Sequence, residues 1–76
     1  MAIENQLSGF DCMDIRENEA GYNYYGFCKA GGAWKILREK TDGTEYRFAL
    51  GGKDYELNFS NRATLGYKLS NILPSV

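Results

Sequence analysis

The chain contains no histidine, one proline and two cysteines, and valine occurs once in its 76 residues. Each scarcity removes a class of protein. Without histidine the commonest general base at neutral pH is missing, and neither cysteine lies in a recognisable nucleophile motif. Cys12 and Cys28 alone cannot assemble a zinc site of the Cys/His type. No apolar run approaches the ~20 residues of a membrane-spanning helix. The opening residues, Met1-Ala2-Ile3-Glu4-Asn5-Gln6, have neither a basic region nor an apolar core, so no secretory signal is expected. Nine Lys/Arg against ten Asp/Glu leave a formal charge of −1, which argues against a general polyanion binder. The expectation is a non-enzymatic protein with no cofactor, no metal and no membrane. Nucleic acid is disfavoured as a partner.

Aromatics are what the chain has in quantity. Six Tyr, four Phe and one Trp nearly match the twelve Ile, Leu and Val together. A chain of this length buries only ~60% of the surface exposed by its unfolded state, so its stability is marginal. Small folds commonly add a disulfide, a metal or a partner chain. Without a secretory signal the default compartment is reducing, and two free thiols are expected rather than a Cys12–Cys28 bond. Homo-oligomerisation is then the expected source of extra stability. Charge is unevenly spread. Residues 1–21 hold five acidic side chains and one basic, a net of −4, while residues 22–76 net +3.

From Tyr22 onward the pattern is that of strands. Residues 22–29 are aromatic and too short for a helix. Residues 34–40 carry Trp34 and Ile36 on one side of Lys35. Residues 45–50 alternate, with Tyr46, Phe48 and Leu50 opposite Glu45 and Arg47. Residues 55–59 repeat this with Tyr55, Leu57 and Phe59. Thr41-Asp42-Gly43 fits a three-residue hairpin loop, which pairs Ile36 with Phe48, Trp34 with Leu50 and Arg38 with Tyr46. It also sets Glu39 opposite Glu45. Gly51-Gly52-Lys53-Asp54 fits a two-residue type II′ turn, pairing Leu50 with Tyr55, Phe48 with Leu57 and Tyr46 with Phe59. Both registers place Trp34, Ile36, Phe48, Leu50, Tyr55, Leu57 and Phe59 on one face, the expected core.

Residues 10–16 form a candidate further strand, followed by a turn through Glu17–Gly21. Ser60-Asn61-Arg62-Ala63-Thr64 suits a single helical turn. Leu65, Tyr67 and Leu69 alternate and could close the sheet. Pro74 ends any regular structure. The fold expected is all-β: a small antiparallel meander of four to six strands, open or curled into a sandwich or barrel. It forms a single domain over residues 10–76, with residues 1–9 loosely ordered.

Several clusters invite a functional reading. Asp11, Asp14, Glu17 and Glu19 are acidic enough for calcium, but their spacing departs from the Asp-x-Asp-x-Asp-Gly loop, and a solvated strand edge is expected. Tyr22, Tyr24 and Tyr25, with Lys29, Lys35, Arg38 and Arg47, suggest a base-stacking platform. Tyr24 and Tyr25 point to opposite faces, however, so they cannot share it. Tyr22 and Tyr24 face one way, Tyr25 and Phe27 the other. Either the sheet curls on itself, or its second face meets another protein. Tyr22, Tyr24, Tyr25, Phe27 and Arg62 are therefore the candidate interface residues. Arg62 follows the last expected strand, where its planar fork can tie the turn to the sheet or to a neighbouring subunit.

The order Tyr24-Tyr25-Gly26-Phe27, Gly32-Ala33-Trp34-Lys35-Ile36-Leu37-Arg38, a glycine turn, Tyr46-Arg47-Phe48-Ala49 and Asn61-Arg62-Ala63-Thr64-Leu65-Gly66-Tyr67 resembles a group of small tailed-bacteriophage proteins encoded among virion structural genes. The resemblance covers residues 24–67. It implies a structural or accessory virion subunit that self-associates and docks on other virion proteins, located in the virion or the host cytoplasm. It carries over no catalytic residue. The alternative is a small binding module or host-interaction factor recognising a peptide, a glycan or a nucleic acid.

Overall fold

The computed structural model describes residues 9–69. Four strands form one antiparallel meander in the order β1-β2-β3-β4, and the sheet does not close. They are β1 (Asp11–Glu19), β2 (Tyr22–Cys28), β3 (Trp34–Lys40) and β4 (Tyr46–Gly51). A helix, α1 (Tyr55–Ser60), and a 3-10 turn (Arg62–Thr64) follow. The all-β meander expected from the alternation is the fold observed. The expectations for residues 1–8 and for Pro74 lie outside the described residues.

The first hairpin turns on Ala20 and Gly21, both with positive φ (52° and 87°). Such a pair defines the type I′ turn, whose twist matches that of the strands. Two bulges interrupt the β1–β2 register, between Cys12 and Asp14 and between Arg16 and Glu19. β2 and β3 pair without interruption from Tyr22 opposite Lys40 to Cys28 opposite Trp34.

The β3–β4 hairpin departs from the expected register by one residue. Ile36 lies opposite Ala49, Leu37 opposite Phe48, Arg38 opposite Arg47 and Glu39 opposite Tyr46. The loop includes Thr44 because Asp42 captures it. Asp42 Oδ1 accepts hydrogen bonds from the Thr44 amide (2.9 Å) and hydroxyl (2.6 Å), and the Lys40 amide reaches the Glu45 carbonyl at 2.9 Å. A one-residue slip inverts a strand's faces. Tyr46, Phe48 and Leu50 therefore sit with Leu37 and Lys35, not with Trp34 and Ile36. The expected Glu39–Glu45 pair does not form.

The second correction concerns residues 55–59, which are helical. Asp54 takes a left-handed conformation (φ 61°) that turns the chain away from the sheet. The Lys53 carbonyl accepts the Trp34 indole N–H at 2.6 Å and pins that turn. Tyr55 and Phe59 then fall on one helical face, four residues apart, with ring centroids 5.6 Å apart. Leu57 projects outward and is 64% exposed. Short aromatic alternation fits either structure, and the turn decides it.

The first face of the sheet packs against α1 and the segment after it. Tyr24, Trp34, Ile36, Ala49 and Phe59 form its buried cluster, flanked by Tyr22, Cys28, Tyr55, Leu65 and Tyr67. Of the expected core, Trp34, Ile36, Phe48 and Phe59 are buried, whereas Leu50 and Tyr55 are only partly so. Phe48 and Leu37 are buried on the second face. Close packing has two fixed points. The Tyr55 phenol occupies the space a Cβ at Gly26 would need, and the Trp34 indole does the same at Gly51. The expected closing strand at 65–69 reduces to one bridge, in which Phe48 and Lys68 exchange backbone hydrogen bonds of 2.7 and 2.8 Å.

Candidate functional site

Sheet alternation distributes the predicted residues over two surfaces. Tyr22, Tyr24, Arg38 and Arg47 face α1, while Tyr25, Phe27 and Lys35 face the opposite side. The mixed aromatic–basic platform is thereby split. Tyr24 is also only 4% exposed, so its ring serves the core.

On the first face Arg62 holds the 3-10 turn to β1. Its Nε and Nη2 donate to Glu19 Oε1 and Oε2 at 2.8 and 2.9 Å, and Nη1 donates to the Phe59 carbonyl at 2.9 Å. The guanidinium carbon lies 4.7 Å from the Phe59 ring centroid. The Tyr67 hydroxyl donates to the Arg62 carbonyl at 2.8 Å. The hydrogen bonds from Arg62 hold the Glu19 carboxyl below the ordinary glutamate range, and the same contact raises the Arg62 pKa. These donors are engaged within the chain. A second polar tie sits at the other end of the face, where the Tyr55 hydroxyl donates to Asp14 Oδ2 at 2.7 Å. Burial, reinforced by this hydrogen bond, pushes the Tyr55 phenol far above its usual range. The acidic cluster is thus divided: Asp14 serves Tyr55, and Glu19 serves Arg62.

Arg38 is held differently. Its guanidinium carbon lies 4.6 Å from the Tyr22 ring centroid and 4.4 Å from that of Tyr67. Arg47 stands directly across the strand pair on the same face. Its Nη1 donates to the Tyr46 carbonyl at 2.9 Å, and its Nη2 lies 3.8 Å from Glu45 Oε2.

The second face is aromatic at its centre and apolar at its rim. Tyr46 and Phe48 meet edge to face with centroids 5.8 Å apart. Lys29 and Lys35 converge on the Phe10 ring, with Nζ atoms 5.2 and 4.6 Å from its centroid. Burial lowers the Lys35 pKa. Along β1, Met13 and Ile15 are 58% and 53% exposed. Ile15 pairs with Tyr25 and so belongs to this face, while Met13 occupies a bulge. Both cysteines are free thiols. Cys12 pairs with Phe27 rather than Cys28, which sets the two side chains on opposite faces.

Among the described residues no enclosed pocket opens, and no three Cys, Asp or Glu side chains gather as a metal-binding group. No helix there is long and apolar enough to cross a membrane. Of the candidate interface residues, Tyr25 and Phe27 are partly exposed on the second face, and Tyr22 on the first. Sequence reading missed Met13, Ile15 and the Arg38–Tyr67 contact. Exposure of the first two follows from strand order, and the last joins residues 29 apart in the chain.

No family model and no solved structure matches the chain. It is 36% identical over 56 residues to the human (Homo sapiens) fibrinogen-like protein 1. The matched stretch is 74% of this chain and 18% of that protein, so the chain spans less than a fifth of the length of this relative.

Proposed function

We propose that the chain is a non-enzymatic association module, a structural or accessory subunit of a tailed-phage virion that self-associates and docks on other virion proteins. One observation carries the association. α1 covers the first face, whereas the second ends in exposed Ile15 on an edge strand, with Met13 exposed in the adjoining bulge. Apolar side chains grouped on a strand edge mark surfaces that pair with other chains. The motif order across residues 24–67 supports the virion context.

The partial likeness to a human protein favours a second reading, a binding module used outside virions. A segment shared with a much longer chain is how such a module travels between proteins. Light scattering over a concentration series tests the association. A mass above the monomer is expected, falling towards the monomer in Ile15→Asp. A monomer at every concentration, unchanged by Ile15→Asp, overturns it. Mass spectrometry of purified particles separates the two readings: a virion subunit is present in stoichiometric copies, a free module is absent.

A further inference from the structure

Arg38 is, among the described residues, a cation without an anion. Among the described residues its guanidinium accepts two aromatic rings as neighbours but has no hydrogen-bond acceptor and no carboxylate within ion-pair reach. This sets it apart from Arg62, whose donors reach Glu19 and Phe59, and from Arg16 and Arg47, each near a carboxylate. Contact with ring faces uses the π surface of a guanidinium and leaves its N–H edges available. The rings also restrict its position, which lowers the ordering cost when a ligand arrives.

The surroundings deepen the demand for negative charge. Arg47 is directly opposite, and like charges in that position repel. Lys40 follows two residues on, on the same side of β3. Glu45 lies 3.8 Å from Arg47, and Glu19 is taken up by Arg62. A carboxylate set between the two arginines turns a repulsive pair into a bridged one. Arginine forks match carboxylates in a bidentate geometry that a lysine cannot reproduce.

We propose that Arg38, held against Tyr22 and Tyr67 beside Arg47, is a docking point for the carboxylates of an acidic peptide segment on a partner protein. The site is an open surface with no pocket, which suits a side chain presented by a larger partner rather than an enclosed small molecule. The net charge of −1 weighs against a nucleic acid, whose binding needs many phosphates neutralised together. The site lies on the face opposite Ile15 and stands independently of self-association.

The test is NMR titration of the full chain with an N-acetylated, C-amidated hexaglutamate peptide, following the Arg Nε–H signals. The Arg38 and Arg47 signals shift, and a hexaglutamine peptide leaves them in place. Arg38→Lys weakens binding about tenfold, because one charge-assisted fork is lost while the charge is kept. Lys53→Gln, on the exposed loop, leaves it unchanged. The proposal is overturned if hexaglutamate moves neither signal, if hexaglutamine moves both equally, or if Arg38→Lys binds as well as wild type. Tighter binding of an oligothymidylate than of hexaglutamate overturns the ligand class. The wild-type shift pattern decides the matter even where a variant fails to fold.

Discussion

The two faces of this sheet are finished by different means. On the first, a short helix and a 3-10 turn cover Tyr24, Trp34, Ile36 and Ala49, and polar ties at Tyr55–Asp14 and Arg62–Glu19 anchor the cover to β1. On the second, Leu37 and Phe48 are buried at the centre, but the β1 rim leaves Met13 and Ile15 exposed. A single layer of strands in so short a chain must hide apolar surface on both sides. Directional bonds hold the cover of the first face, and the proposed self-association falls to the rim of the second.

The largest effect is expected from removing Phe48, the buried centre of the second face. Phe48→Ala is expected to cost ~3–5 kcal/mol, since the ring is wholly buried. That is most of the stability of a small domain. Urea titration followed by Trp34 fluorescence measures it. A melt indistinguishable from wild type would show that the second face contributes no core.

Next comes the clamp on the first face. Arg62→Lys is expected to lower the melting temperature by several degrees, nearly as much as Arg62→Ala, because one ammonium cannot replace donors aimed at both Glu19 oxygens and the Phe59 carbonyl. The pH dependence follows the depressed Glu19 pKa. A carboxyl with a folded pKa below its unfolded value stabilises above the unfolded value and loses that contribution as pH falls through the folded one. Wild type therefore loses melting temperature more steeply than Arg62→Ala below about pH 4.3, the ordinary glutamate value. Parallel profiles would remove Glu19 from the clamp.

The smallest effect is expected at Leu57. As an outward helix residue, 64% exposed, Leu57→Asn should change stability by no more than about 0.5 kcal/mol. A strand core residue at this position would cost ~2–5 kcal/mol on truncation. Thermal melting therefore distinguishes the helical arrangement of residues 55–60 from a fifth strand.

Local pattern was enough for part of this molecule. Period-two aromatic alternation is a property of the chain itself, so β2, β3 and β4 appear where it predicts them; the turn expected through Glu17–Gly21 instead narrows to Ala20-Gly21, because β1 stays paired with β2 as far as Glu19 opposite Tyr22. Opposite facing of Tyr24 and Tyr25 follows from the same period. Three matters depended on the folded arrangement. The Asp42 side chain, by bonding Thr44, lengthened the loop and shifted β4 by one residue, which moved Phe48 to the second face. The Trp34 indole, by holding the Lys53 carbonyl, fixed a turn that made Tyr55–Ser60 helical. Arg38 met Tyr67 only because the chain returned across the first face. Alternation is encoded in neighbouring residues and can be read from them. Register, the choice between helix and strand for five residues, and contacts across distant segments depend on single side-chain hydrogen bonds and packing that exist only once the chain has folded.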